Sequence, residues 1–204
     1  MRKKRHLKVY VAYGWQKFSD KNDPRVGNDS KDVFWKSIQS AFSPTAKGVE
    51  EKSGIRIEFA RLSAGNQDNI LDSIISRIKA ADVLLFDLGS SIKPIQYRKR
   101  KVDVKTVLKR INENVLFELG VAVGLGKRWM ILCPQGLSKK VPSDILGRYM
   151  CLYKGKLNQE EFERTFVEGN KVRGTFRSLL IDALPSSAKR RLKATESCAK
   201  EILG

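Results

Sequence analysis

The sequence predicts an α/β fold in which a parallel sheet of about five strands carries helices on both faces, with further helices at the C-terminal end. Segments of strand character alternate with segments whose apolar residues recur at helical spacing, which is typical of consecutive β-α-β units. Residues 83–86 and 129–133 are continuously apolar, as expected of strands that are buried on both faces. With 204 residues, 41% of them hydrophobic, the chain is long enough to form a core around such a sheet.

The first part of the chain supplies strands and helices in alternation. Residues 8–13 are β-branched and aromatic, and residues 55–62 alternate apolar with polar side chains, so both are predicted strands. Residues 32–42 and 66–81 repeat apolar side chains at helical spacing and are predicted helices. Residues 14–30 are rich in Gly, Pro, Asn and Asp, which predicts a long loop before the first helix.

The second part of the chain begins with a basic connection over residues 89–110. Residues 114–126 form a predicted helix that ends at a glycine, and residues 149–153 form a predicted last strand. From residue 159 onward the pattern is helical, with a break at Pro185. The predicted division is an α/β domain over residues 1–155 and a helical C-terminal extension, residues 156–204, packed on it.

The composition argues against several classes of protein. No apolar run approaches the roughly 20 residues of a membrane-spanning helix, and the apolar stretch after the basic start is too short for a signal peptide. Three cysteines without a C-x-x-C pair argue against a disulfide scaffold or a zinc site. The sole histidine, His6, lies in the basic start, which argues against histidine catalysis. A cytoplasmic protein without bound metal or membrane association is therefore predicted.

The net charge of +18 is distributed unevenly along the chain. Residues 9–92 hold eleven basic and eleven acidic side chains, whereas residues 93–110 carry a net charge of +7. The most basic run of this block comprises Arg98, Lys99, Arg100 and Lys101. Clustered cations attract polyanions, so the block is predicted to contact substrate phosphates, nucleic acid or a partner subunit. The alternative is that these side chains only form a solvated face.

Motifs of several common nucleotide enzymes are absent from the sequence. There is no G-x-x-x-x-G-K-[ST] run of a P-loop and no G-x-S-x-G nucleophile elbow. The glycines of residues 120–126 lie inside a helical pattern and do not follow a strand, so they are not a dinucleotide fingerprint. No bound cofactor is therefore predicted.

The helix predicted at residues 114–126 contains one ionisable side chain, Glu118, in an otherwise apolar or small-residue run. Such a run predicts a helix that is largely buried on every side. A buried carboxyl group is unfavourable unless it is paired, protonated or functional, which makes Glu118 a candidate catalytic residue. The positive end of the helix dipole lies nearby and predicts a charged carboxylate. The alternative is a structural role, in which Glu118 pairs with a cation of the basic block or caps its own helix.

A carboxylate at the mouth of an α/β sheet suits the cleavage of an N-glycosidic bond. The reaction passes through an oxocarbenium-like sugar, which a carboxylate can stabilise or attack at the anomeric carbon. A good leaving base, such as the charged nicotinamide of NAD⁺, needs neither histidine nor metal. Asn114, four residues before Glu118, is predicted to hold a ribose hydroxyl or to orient the carboxylate. Asp87, which ends a buried strand, is predicted to face the same crevice together with Gly89 and Ser90, and to be a catalytic residue that positions the ribose with Asn114. The alternative is that Asp87 only serves the turn at the end of its strand.

Two motifs carry a family resemblance. Residues 114–120 read N-V-L-F-E-L-G, and residues 142–147 read P-S-D-I-L-G. Together with the flanking strands, they resemble the TIR-like predicted nucleotide-binding domains of bacterial antiphage systems, over residues 8–155. The helix that holds Glu118 also resembles that of nucleoside deoxyribosyltransferases. Both families have a flavodoxin-like or TIR-like sheet.

The resemblance implies a function and a set of site residues. Both families use the matching glutamate at a ribose anomeric carbon, which gives this role to Glu118. Tyr13, Gly14 and Trp15 are implied to line the nucleotide pocket after the first strand. The implied protein is an N-glycosidase or NAD(P) glycohydrolase-type effector, with NAD⁺ as a possible substrate. It is implied to act as a homo-oligomer or in a larger complex, in response to a nucleotide, a nucleic acid or a partner subunit.

Two other functions remain open on the sequence. The same pocket can hold a nucleotide signal without cleaving it, while the basic segments dock the protein on nucleic acid within a defence complex. Alternatively, the domain serves as a scaffold subunit of a filament. No Asp-Ser-Gly-Thr run is present, which argues against transferase chemistry.

Overall fold

The computed structural model describes residues 6–13, 30–62, 69–89, 111–141, 150–153 and 170–203. Within these residues, five strands form one parallel sheet in the order β2-β1-β3-β4-β5. The strands are β1 (His6–Ala12), β2 (Arg56–Arg61), β3 (Val83–Asp87), β4 (Trp129–Pro134) and β5 (Met150–Tyr153). The predicted parallel sheet of about five strands is confirmed.

Helices cover both faces of the sheet, as predicted. Their bounds are α1 (Ser30–Ser53), α2 (Ile70–Ala80), α3 (Glu113–Gly124), α4 (Asn170–Ala183) and α5 (Ser186–Leu203), with a 3₁₀ helix (Gln135–Lys140) between β4 and β5. Buried residues of α1, α4 and α5 form one apolar cluster with the sheet, and buried residues of α2 and α3 form another on the opposite face. We call these the first cluster and the second cluster. In the part of the chain that the structure describes, no helix is long and apolar enough to cross a membrane.

Strand β3 shows how the sheet separates the two clusters. Val83 and Leu85 lie in the first cluster, whereas Leu84 and Phe86 lie in the second. All four side chains are inaccessible to solvent, because both faces of this central strand are covered by helices. The continuously apolar sequence of β3 is therefore explained by burial on both faces, as predicted.

Helix α1 extends beyond the segment predicted to be helical. It continues through Pro44 to Ser53, although a proline inside a helix removes one hydrogen bond and is unfavourable. Ala46 and Val49 lie beyond this proline and are buried in the first cluster with Ile38 and Phe42. The apolar face is thus continuous through Pro44, and its packing offsets the local loss.

The ends of helix α3 are fixed by capping interactions. The side-chain Oδ1 of Asn112 accepts hydrogen bonds from the backbone N–H groups of Asn114, at 3.1 Å, and Val115, at 3.2 Å. At the other end, Gly126 has a φ of +61° and Lys127 donates from its backbone N–H to the carbonyl of Ala122. This is a Schellman ending, which confirms that the glycine ends the helix.

The prediction that α3 is buried on every side is wrong. Phe117 is 54% exposed, Val123 48% and Leu125 41%, whereas Leu119 and Ala122 on the opposite side are inaccessible to solvent. The sheet covers only one side of the helix, and the described part of the chain places no second layer over the other.

The C-terminal helices contribute directly to the core of the sheet. Phe176 of α4 is fully buried, and its ring centroid lies 4.7 Å from that of Phe42 and 6.0 Å from that of Phe59. Glu196 of α5 forms ion pairs with Lys52 of α1, at 3.2 Å, and with Arg177 of α4. Aromatic packing and ion pairs therefore join the three helices of this face.

Candidate functional site

The carboxyl ends of the strands bring the candidate site residues to one edge of the sheet. Asp87 is the last residue of β3, Tyr153 is the last residue of β5, and Tyr13 directly follows β1. Helix α3 returns antiparallel to the strands, so its first residues lie at the same edge. In open parallel sheets this edge is where ligands bind.

Asp87 is held in place by two hydrogen bonds. The hydroxyl of Tyr153 donates to Oδ1 of Asp87 at 2.8 Å, and the backbone N–H of Gly89 donates to the same oxygen at 3.2 Å. Asp87 is 1% exposed and Tyr153 is 2% exposed. Because β4 lies between β3 and β5, this side-chain hydrogen bond joins two strands that are not neighbours.

Gly89 is required by the close approach of these two side chains. A Cβ atom at this position would lie 2.8 Å from the hydroxyl oxygen of Tyr153 and 3.1 Å and 3.2 Å from the carboxyl oxygens of Asp87. The first distance is shorter than real Cβ contacts, so a larger residue would displace the Asp87–Tyr153 pair. The glycine that the sequence analysis placed in the crevice therefore makes room for a hydrogen bond.

Burial governs the electrostatics of this cluster. It raises the pKa of Asp87 from 3.8 to about 7, although the hydrogen bonds from Tyr153 and Gly89 oppose the shift. Burial, together with the nearby charge of Asp87, raises the pKa of Tyr153 well above 10 and that of Cys133 to about 12. Tyr153 and Cys133 are therefore protonated at neutral pH, which makes the thiol a poor nucleophile.

The turn after Asp87 is connected directly to the start of helix α3. Gly89 and Ile111 form an antiparallel bridge, and the backbone N–H of Asn112 donates to the carbonyl of Leu88 at 3.1 Å. Asn112 in turn caps α3. Gly89 and Ile111, the described residues on either side of positions 90–110, are consequently held together.

Glu118 lies in the second turn of α3 on the buried side of the helix. Its residual exposure is 9%, and among the described residues it forms no hydrogen bond or ion pair. Burial raises its pKa from 4.5 to about 7. The expectation that the helix dipole favours the charged form is wrong, because the dipole acts mainly in the first turn and burial outweighs it at the sixth residue.

The other predicted site residues fall into two groups. Asn114 is exposed in the first turn of α3, and Tyr13 is half-buried against the first cluster. The remaining ones lie outside the described residues: Gly14, Trp15, Ser90, Arg98, Lys99, Arg100 and Lys101. Within the described ranges, no group of three or more His, Cys, Asp or Glu side chains could hold a metal ion.

The structure brings Asp87 and Gly89 together with Tyr153, and it places Asn114 and Glu118 on one helix. Strand alternation places Asp87 on the same face as Val83 and Leu85, which is the face opposite α3. Tyr153 was missed by the sequence analysis. Tyr153 ends a predicted strand and lies two residues after Cys151, which is buried. Because side chains alternate along a strand, this spacing could have predicted that Tyr153 is buried on the same face.

The strand order 2-1-3-4-5 and the polar groups at the carboxyl edge define an α/β protein of the flavodoxin-like arrangement, with a candidate site at its topological switch point. Residues 46–155 match the family model for the TIR domain of the CAP12/Pycsar effector protein. The match covers more than half of the chain, and the chain belongs to this family. It is an effector-type domain of antiphage defence, which confirms the TIR-like resemblance.

Comparison with solved structures gives a more distant similarity. One similar structure is a 2-desoxiribosyltransferase from Leishmania mexicana, with 17% sequence identity and a TM-score of 0.37. The similarity covers 63% of this chain and 65% of that chain, so it spans less than two thirds of the relative's length. No curated protein matches the chain.

Proposed function

We propose that the protein is an N-glycosidase that cleaves the bond between base and ribose in NAD⁺ or a related nucleotide, as an effector of antiphage defence. The observation that carries this proposal is Glu118, a largely buried carboxyl group in the second turn of α3 with no partner among the described residues. A structural carboxylate at such a position is normally paired, whereas one that acts on a substrate is kept available.

The proposed reaction uses the charge of Glu118 directly. The bond between C1′ of the ribose and the base nitrogen breaks, and the bonding electrons leave with the base. The positive charge that develops on the sugar is stabilised by the Glu118 carboxylate, or the carboxylate adds to C1′ and is later displaced. Water then supplies the hydroxyl group at C1′ and releases one proton. Burial disfavours the charged form of Glu118 before the substrate reacts. The positive charge that develops on the sugar in the transition state stabilises this carboxylate, and the interaction is weaker before the bond breaks.

Two further residues have supporting roles in this proposal. Asn114 is exposed one turn before Glu118, where its amide can hold a ribose hydroxyl. Tyr13 follows β1 at the same edge and lines the nucleotide pocket. The protein acts on a nucleotide substrate, in the cytoplasm, as a homo-oligomer or within a larger complex.

The test compares two glutamates of the same helix. Glu118→Gln removes the buried charge, and Glu113→Gln removes an exposed charge in the first turn. Each protein is incubated with NAD⁺ and with nucleoside mixtures, with and without nucleic acid, and the free base is measured by chromatography. We expect Glu118→Gln to lose activity by about 10²-fold or more and Glu113→Gln to keep it. Full activity of a folded Glu118→Gln variant would refute the assignment.

A second candidate function is a non-catalytic module that senses a nucleotide or binds nucleic acid. The observation that favours it is the bridge between Gly89 and Ile111, the described residues on either side of the basic connection. This connection includes the block of residues 93–110 with its net charge of +7. Clustered cations of this kind attract polyanions.

Salt dependence tests this second function. Arg98, Lys99, Arg100 and Lys101 are replaced together by Gln, and binding to duplex DNA and RNA is measured at several salt concentrations. Each phosphate contact that is lost should lower the slope of log K against log salt by about 1. The matched control replaces Lys189, Arg190, Arg191 and Lys193 of helix α5. Equal slopes for all three proteins would refute a nucleic-acid role of the basic block.

A further inference from the structure

Tyr153 lies at the far end of a series of contacts that leads to helix α3. We propose that Tyr153 is a positioning residue, which acts through Asp87 and Gly89 to fix where α3 begins and therefore where Glu118 lies. This inference rests on the proposed function in assigning a catalytic role to Glu118. It gives Asp87 a positional role in place of direct contact with the ribose.

The first step joins Tyr153 to Asp87. A carboxyl group rotates easily about its terminal torsion, whereas the phenol of Tyr153 is fixed by burial in the first cluster. The 2.8 Å hydrogen bond from Tyr153 therefore selects one orientation of Asp87. With 1% exposure, Asp87 has almost no surface left for a substrate.

The second step joins Asp87 to the backbone. The oxygen that accepts from Tyr153, Oδ1, also accepts from the N–H of Gly89. Gly89 forms the bridge to Ile111, and the neighbouring carbonyl of Leu88 accepts from Asn112. The position of Asn112 is consequently determined by the turn that Asp87 holds.

The third step carries this position to Glu118. Asn112 caps α3, and Glu118 lies six residues further along, which corresponds to about 9 Å of helix. A regular helix moves as a unit, so a displacement at its first turn reaches Glu118 nearly undiminished. A misplacement of about 1 Å can reduce a reaction rate by about 10²-fold.

The experiment compares two tyrosines of the sheet. Tyr153→Phe removes the hydroxyl that binds Asp87. Tyr10→Phe removes a hydroxyl that makes no hydrogen bond within the described residues, from a half-buried side chain of β1. We expect Tyr153→Phe to lower kcat for base release by about 10- to 100-fold with KM nearly unchanged, and Tyr10→Phe to change neither.

Amide hydrogen exchange supplies a readout that does not depend on activity. In Tyr153→Phe, exchange at Gly89 and Asn112 should accelerate by about tenfold, while exchange in β1 stays constant. If both exchange and kcat match those of Tyr10→Phe, the inference is wrong. If Glu118→Gln keeps base release, the proposed function fails instead, and accelerated exchange at Asn112 still identifies the connection to the helix.

A variant of Asp87 separates positioning from chemistry. Asp87→Asn keeps an Oδ1 that can accept both hydrogen bonds but removes the negative charge, whereas Asp87→Ala removes both bonds. Positioning predicts that Asp87→Asn keeps kcat within about threefold and that Asp87→Ala loses as much as Tyr153→Phe. A folded but inactive Asp87→Asn would overturn the inference, because it would show that the charge itself is needed. If Tyr153→Phe does not fold, the comparison of Asp87→Asn with Asp87→Ala still tests the inference.

Discussion

The two faces of the sheet differ in how completely they are covered. On the first face, Phe176 of α4 contacts the rings of Phe42 and Phe59, and α1, α4 and α5 join through the ion pairs of Glu196. On the second face, α3 leaves Phe117 and Val123 exposed and holds Glu118 without a partner among the described residues. The first face is therefore closely packed and stabilises the fold. The second face has exposed apolar side chains and a buried carboxyl group, neither of which contributes to stability.

The largest expected effect comes from a comparison of Phe176, which is buried on the first face, with Phe117, which is exposed on the second. Phe176→Ala should lower the free energy of unfolding by about 3–5 kcal/mol, because it leaves a cavity in the first cluster. Phe117→Ala removes a side chain that is 54% exposed and should change the free energy of unfolding by less than about 1 kcal/mol. Urea unfolding followed by circular dichroism measures both. Equal losses would contradict the assignment of stability to the first face.

The pH dependence of stability should have opposite signs on the two faces. Burial raises the pKa of Glu118 from 4.5 to about 7, so between these values the folded protein binds a proton that the unfolded chain has lost. This group therefore makes stability fall as pH rises through that window, by up to about 3 kcal/mol. Unfolding free energies at pH 5 and pH 8 should show that Glu118→Gln stabilises the protein only at the higher pH.

Glu196 is the matched group on the first face. Burial tends to raise its pKa, but the hydrogen bonds and charges of Lys52 and Arg177 lower it overall. The stabilisation by Glu196 is therefore fully present above the pKa that this group has in the unfolded chain, and it is lost as the pH falls through the lower pKa of the folded protein. Glu196→Gln should destabilise the protein at pH 7, and the difference from the unchanged protein should shrink as the pH falls below 4.5. The effect should be smaller than that of Glu118, because the ion pairs are partly exposed.

The last comparison concerns two glycines, Gly89 at the sheet edge and Gly120 on the second face. Gly89→Ala should destabilise the protein by about 1–3 kcal/mol, since its Cβ would meet the Tyr153 hydroxyl at 2.8 Å. Gly120→Ala in α3 meets nothing within 4 Å and should stabilise the helix by about 0.5–1 kcal/mol. Thermal unfolding of both variants distinguishes a glycine needed for space from one that is not. A neutral Gly89→Ala would show that the Asp87–Tyr153 pair can move.

Most of the fold could be predicted from the sequence because its signals are local. The apolar run of β3 and the glycine after α3 each follow from nearby residues, and both are confirmed. The continuation of α1 past Pro44 could not be predicted from propensity, because the first cluster supplies the compensating contacts. The exposure of Phe117 depends equally on tertiary packing.

The candidate site was only partly accessible to sequence analysis. Glu118 was identifiable because it interrupts an apolar run. The partner of Asp87 was not, because Tyr153 lies 66 residues further along the chain and is brought near it by the sheet. The pKa of Glu118 also could not be obtained from its helix position, since burial by the sheet outweighs the local dipole.

The bridge between Gly89 and Ile111 also has a consequence for how the chain can vary in evolution. It joins the described residues on either side of positions 90–110, so the turn after β3 and the start of α3 are held together by contacts outside that segment. In general, doubling the length of a flexible connection costs only about 0.6 kcal/mol of closure entropy. Changes in the length or charge of positions 90–110 are therefore expected to leave these contacts in place.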